Sequence, residues 1–161
     1  MTDTTTTTAR VTKRAFSVDI TATTAVDRPA AEVWAVLTET VRYSEWNPFV
    51  TELVGNLAPG EKIAVTLQLP GRKAHHLKPR IVEVDAGRSF TWLGGFGMRG
   101  VFDARHHFEI RDQGPRACEL VQHERLSGVL VPMFRSTLTG PTPRAFVALN
   151  EACKARVEHE R

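Results

Sequence analysis

"FDARHHFEIR", residues 102–111, decides the fold. Phe102, Ala104, His106, Phe108 and Ile110 share one parity; Asp103, Arg105, His107 and Glu109 share the other. Successive side chains of a strand point to opposite faces. Clean apolar–polar alternation over this length therefore reads as a half-buried strand. It also separates two adjacent histidines. His106 points inward with Phe102 and Phe108, and His107 points outward beside Arg105 and Glu109.

The stretch after it, "RDQGPR", is a turn. A second strand then carries Cys118, Leu120, Gln122, Glu124 and Leu126 on one face and Glu119, His123 and Arg125 on the other. A hairpin turning near 112–116 sets Glu124 opposite His106 within a residue or two. A buried charge without a partner is costly, so Glu124 is expected to contact His106 or else to pair with an arginine.

Upstream, "FSVDITATTAV" (16–26) alternates as a strand, and "DRPAAEVWAVLTET" follows as a short amphipathic helix with Pro29 in its first turn. A second short helix ends before Pro48. Strands are expected from "FVTELVG" and from the alternating Ile63, Val65, Leu67 and Leu69. Leu77, Ile81 and Val84 continue the pattern, with Pro79 restricting its stretch to an edge or a bulge. Phe90 and Trp92 begin the strand that leads into the glycine-rich "GGFGMRG" (94–100), which lacks the Lys-Ser/Thr ending of a phosphate-binding loop.

Downstream, Val131 to Leu138 forms one or two apolar helical turns. "TGPTP" breaks them, and Thr142 and Pro143 restart the chain as N-cap and first helical residue. Phe146, Leu149, Cys153 and Val157 then repeat at helical intervals. The fold class is α+β: an antiparallel sheet of about six or seven strands, two short helices after its first strand, and one long C-terminal helix. The sheet needs a cover for its apolar face, and only the last helix is long enough. A curved sheet around a helix leaves a gap suited to a ligand.

The 161 residues are one domain's worth, with 42% apolar and 24% charged. "MTDTTTTTAR" has neither the basic nor the apolar region of a secretory signal, so residues 1–14 are expected to be a disordered tail and 15–161 a single domain. Cys118 and Cys153 match no metal or redox spacing, which suits a reducing cytoplasm. The net charge of +3 is spread along the chain without a basic stripe, which argues against a nucleic-acid partner. No apolar run is long enough for membrane insertion.

Several phrases resemble one family. "VDRPAAEVWAVLTET", "YSEWNPFV", "GRSFTWLG", "HHFEI" and "HERLSGVLVP" are similar to the bacterial polyketide cyclase/dehydrase-like branch of the SRPBCC superfamily, which also holds START and birch-pollen-allergen proteins. The likeness spans about residues 15–158. It implies the helix-grip fold and a deep apolar cavity under the terminal helix. It also implies that the loops near Trp46 to Phe49 and near Gly94 to Gly100 border the cavity mouth. Iron-binding members of the superfamily use two histidines and a carboxylate. Neither His75-His76 nor His106-His107 has that spacing, so no metal and no cofactor is expected.

The candidate lining is Trp46, Phe49, Leu67, Trp92, Phe102, Phe108, Phe146 and Leu149, with Gln122 as a polar member. Phe96 is a candidate lid. Met133, Phe134 and Leu138 are expected to cap one end, where a second copy could also dock as a homodimer. The partner expected is a hydrophobic or aromatic small molecule. The alternative is a cofactor-free cyclase/dehydrase in which His106 and Glu124 are the catalytic groups.

Overall fold

The computed structural model describes residues 7–159. Nine strands and four helices follow in chain order: β1 (Thr8–Arg14), β2 (Ser17–Val26), α1 (Ala30–Thr38), α2 (Tyr43–Trp46), β3 (Val50–Val54), β4 (Ala64–Leu67), β5 (His75–Leu77), β6 (Arg80–Asp85), β7 (Ser89–Phe96), β8 (Phe102–Asp112), β9 (Cys118–Ser127), α3 (Val131–Thr139) and α4 (Pro141–His159). A single 3-10 turn, Thr40–Arg42, joins α1 to α2.

The main sheet is antiparallel, in the order β1-β2-β9-β8-β7-β6, and β3-β4-β5 forms a smaller one. The helix-grip arrangement is as expected: α4 packs on the main sheet, chiefly over β2, and α1 packs against α4. One apolar core joins them, with Val18, Ile20, Phe90, Phe108, Leu120, Phe146 and Leu149 all buried.

Three expectations are corrected. First, residues 8–14 are not a tail. They form edge strand β1, paired with β2 from Thr8–Thr23 to Arg14–Ser17. The composition concealed this because both faces of the strand are largely exposed and only Val11 packs on the core. The two short helices consequently follow the second strand, not the first. Residues 1–6 of the expected tail lie outside the described residues.

Second, the strand run through Leu77 and Ile81 is divided at Pro79, and its halves join different sheets. Proline has no N–H to give a ladder. Its carbonyl instead accepts from Ile63 N at 3.0 Å, tying the two sheets together. Third, α4 starts at Pro141, so both Pro141 and Pro143 occupy the first turn, where an N–H is not needed. Thr142 Oγ1 donates to Thr137 O at 3.0 Å, so it fastens α4 to α3 and does not act as an N-cap.

Candidate functional site

The β8–β9 ladder brings the polar interior residues together. His106 pairs directly with Glu124, and Phe108 with Gln122. His106 is 2% exposed and Glu124 8%. The outward parity also holds: His107 pairs with His123 and its Nδ1 lies 2.7 Å from Thr91 Oγ1.

The His106 ring is held on every side. It stacks on Phe108 at 4.3 Å between centroids and 6° between planes, and on Phe146 at 4.8 Å and 22°. Trp92 meets it edge-on at 5.1 Å. Its Nε2 lies 3.1 Å from Gln122 Oε1. The Gln122 amide group donates to Phe146 O at 3.0 Å and Asn150 Oδ1 at 2.7 Å. Asn150 Nδ2 donates to Ala22 O and Leu120 O. With both amides so oriented, Gln122 Oε1 can only accept, and His106 Nε2 must carry the proton. Nδ1 is then a bare lone pair, and it faces Glu124 Oε1 at 3.7 Å.

Electrostatics agree with a neutral ring. Burial pushes the His106 pKa down to about 3, against the opposing effect of the Gln122 bond. Burial pushes the Glu124 carboxyl up to about 7. Their contact is therefore a meeting of an uncharged acceptor and a carboxyl that gains and loses its proton near neutrality, and not a salt bridge. Among the described residues the Glu124 carboxyl has no hydrogen-bond partner; 3.7 Å is too long for one.

Asn150 escaped the sequence reading, although its signal was present. It stands four residues after Phe146 and three before Cys153, on the apolar stripe of α4. A fully buried amide there needs partners on the sheet.

The expected lining residues divide into three groups. Phe49, Trp92, Phe108, Phe146 and Leu149 are buried and belong to the core shared by the sheet and α4. Phe49 lies 5.5 Å from Phe146, and Phe90 stacks on Phe108 at 4.8 Å. Four surface grooves of 410–530 Å³ are lined by residues other than these. Trp46 packs edge-on against Tyr43 at 5.3 Å, and Leu67 is half-buried on β4.

The third group closes one end. Phe96 stacks on Phe102 at 4.7 Å, and Phe134 meets both edge-on at 5.8 and 5.6 Å. This three-ring cluster joins the β7–β8 hairpin to α3. Phe102 lies four positions along β8 from His106 on the same face, so the cluster stands at the Glu124 end of the interior. Leu138 is buried, whereas Met133 is 73% exposed and caps nothing. Gly95 and Gly128 allow the closure: a Cβ on Gly95 would lie 2.0 Å from Phe102 O, and one on Gly128 2.4 Å from Val101 O.

Both cysteines are free and buried, with thiols pushed up to about 11 (Cys118) and about 12 (Cys153) by burial. They behave as small apolar groups. Among the described residues no three His, Cys, Asp or Glu side chains converge as metal ligands. No described helix is long and apolar enough to cross a membrane.

Residues 17–158 match the model of the polyketide cyclase/dehydrase and lipid transport family. No curated protein matches. Among solved structures, the Zhui aromatase/cyclase of Streptomyces sp. R1128 superposes with a TM-score of 0.71 at 16% identity, covering 88% of this chain and 94% of that one. Truncated norcoclaurine synthase of Thalictrum flavum gives 0.68 at 16%, covering 99% of both chains. A START superfamily protein of Mycobacterium smegmatis gives 0.66 at 18%, covering 89% and 99%. At such identities the structures establish a common fold only. The family match covers nearly the whole chain, and the chain belongs to the polyketide cyclase/dehydrase and lipid transport family.

Proposed function

We propose that this family member binds a hydrophobic, aromatic small molecule between its sheet and α4, with Glu124 as the polar anchor. The observation that carries this is the Glu124 carboxyl: inward-facing, 8% exposed and without a hydrogen bond among the described residues. The side chain keeps 11% of its surface exposed, so the carboxyl is open to a new partner. A ligand hydroxyl or carbonyl would satisfy it. The aromatic walls of Trp92, Phe108 and Phe146 suit a flat partner stacked beside it. Entry requires the Phe96–Phe102–Phe134 cluster to part and the interior rings to shift.

Native mass spectrometry of the freshly purified protein, compared with its denatured mass, tests this reading. A retained non-covalent adduct supports it and begins the identification of the ligand. A bare mass, together with unchanged Trp fluorescence on titration with hydroxylated naphthoquinones and anthraquinones, removes it.

The second reading, a cofactor-free cyclase/dehydrase, is favoured by one specific feature. A carboxyl with a pKa of about 7 is matched to proton exchange at neutral pH. Glu124 would exchange the proton, while His106 would remain neutral and orient the substrate through Nδ1. Glu124→Gln would then abolish turnover with ligand affinity within a few-fold of the parent protein. Loss of affinity and turnover together would leave Glu124 as an anchor only.

A further inference from the structure

Nine large apolar residues are exposed among the described residues, and six of them, Phe16, Phe96, Met98, Val129, Met133 and Phe134, gather at one end of the molecule. They come from separate segments that meet there. Gly128 N donates to Phe16 O, bringing the β1–β2 turn to the end of β9. Val129 N donates to Gly100 O and Leu130 N to Val101 O, bringing in the β7–β8 tip. Arg135 Nη2 on α3 donates to Arg14 O and Ala15 O at 2.8 Å. The apolar side chains therefore project from turn tips and from a helix flank. Met98 is 79% exposed and Met133 73%.

The same end is cationic. Arg99 follows Met98 on the exposed tip, Arg135 follows Phe134, and Arg72 reaches α3 by donating to Thr137 Oγ1 at 3.1 Å. Among the described residues none of these three arginines has a carboxylate partner. Of the nearby acids, Asp19 is paired with Arg14 at 2.9 Å and Arg125 at 3.4 Å, and Asp103 accepts from Gly100 N at 2.8 Å and keeps its single charge against the three arginines.

We propose that this end docks on an anionic lipid surface, with Met98, Val129 and Met133 entering the interfacial layer and Arg99, Arg135 and Arg72 meeting the headgroups. Charge complementarity selects this occupant. A second copy would bring like-charged arginines together around the apolar contact, whereas an anionic bilayer receives both the apolar tips and the cations. The inference does not depend on the interior holding a ligand.

The test is co-sedimentation of the full chain with phosphatidylcholine vesicles and with vesicles that also contain phosphatidylglycerol. Binding is expected on the anionic vesicles only, and to weaken with salt. Arg99→Gln should lower affinity about fivefold, the effect of one cation at such a surface. Met98→Ser and Met133→Ser should each lower it several-fold. Val41→Ser, at an 84% exposed residue in a different groove, should not change it. Thermal melts check that every variant is folded. Equal binding to both vesicle types, no binding, or patch variants that bind like the parent would each overturn the proposal. A dimer in sedimentation velocity that Met133→Ser dissociates would overturn it in favour of a second copy.

Discussion

His106 and Glu124 occupy directly paired positions of β8 and β9, with Nδ1 and Oε1 3.7 Å apart. They are titratable groups whose burial displaces both pKa values toward the uncharged forms. Their effects on stability oppose one another. The Glu124 pKa is raised from 4.5 to about 7, so its stabilising contribution is complete below pH 4.5 and lost as pH rises through 7. The His106 pKa is lowered from 6.5 to about 3, so its contribution is complete above pH 6.5 and lost as pH falls toward 3.

Between pH 4.5 and 6.5 the two slopes offset each other, and removing one should expose the other. Glu124→Gln is expected to lose stability steadily as pH falls below 6.5, relative to the parent protein. It should gain relative stability above pH 7 by up to about 3 kcal/mol, the equivalent of the removed shift. Urea unfolding at a series of pH values reads both effects. Parallel curves for parent and variant would mean that the carboxyl is hydrated and not buried.

Asn150→Ala removes the acceptor for Gln122 and the donor to Ala22 O and Leu120 O. The loss should be about 2–3 kcal/mol, because buried partners are left unsatisfied. Freed from one of its two acceptors, the Gln122 amide can turn, so the His106 tautomer should become mixed. Urea denaturation and imidazole nitrogen chemical shifts check the two parts separately.

Gly128→Ala places a Cβ 2.4 Å from Val101 O, at a φ of +134° that side chains rarely adopt. The hydrogen bonds from Val129 and Leu130 to the β7–β8 tip must then give way. A stability loss of about 1–3 kcal/mol is expected, together with faster amide exchange in 97–101.

Deletion of residues 1–14 removes β1 and leaves β2 as the sheet edge. The net loss from its ladder bonds is on the order of 3 kcal/mol. Deletion of residues 1–7 alone keeps the whole of β1 and, among the described residues, gives up the bonds of Thr7 to Thr24 and Glu151. Its effect should be much smaller. Calorimetric melts of the two truncations test the difference.

Phe134→Ala takes one ring out of the cluster that joins α3 to the β7–β8 hairpin. If a ligand enters there, exchange should become faster in stopped-flow fluorescence with little change in the fold. Unchanged kinetics would locate entry elsewhere.

Strand parity along 102–111 and 118–126 was sufficient to assign the faces of His106, His107, Gln122 and Glu124. Side-chain alternation is a local property of the extended chain. The length and apolar stripe of the terminal helix likewise required it to cover the sheet. Two things were not legible locally. β1 is a strand because β2 offers it a ladder, while its own residues show no buried face. The state of the interior depends on residues distant in sequence: Phe146 and Asn150 lie 40 and 44 positions beyond His106.

By itself the sequence determined the helix-grip architecture, the inward pair His106 and Glu124, and the family. Periodicity and local turn chemistry are carried by neighbouring residues. Only the tertiary structure decided that the inward histidine is neutral, that the carboxyl beside it lacks a hydrogen bond, and that six exposed apolar side chains share one end. Desolvation, amide orientation and surface clustering depend on which distant segments meet.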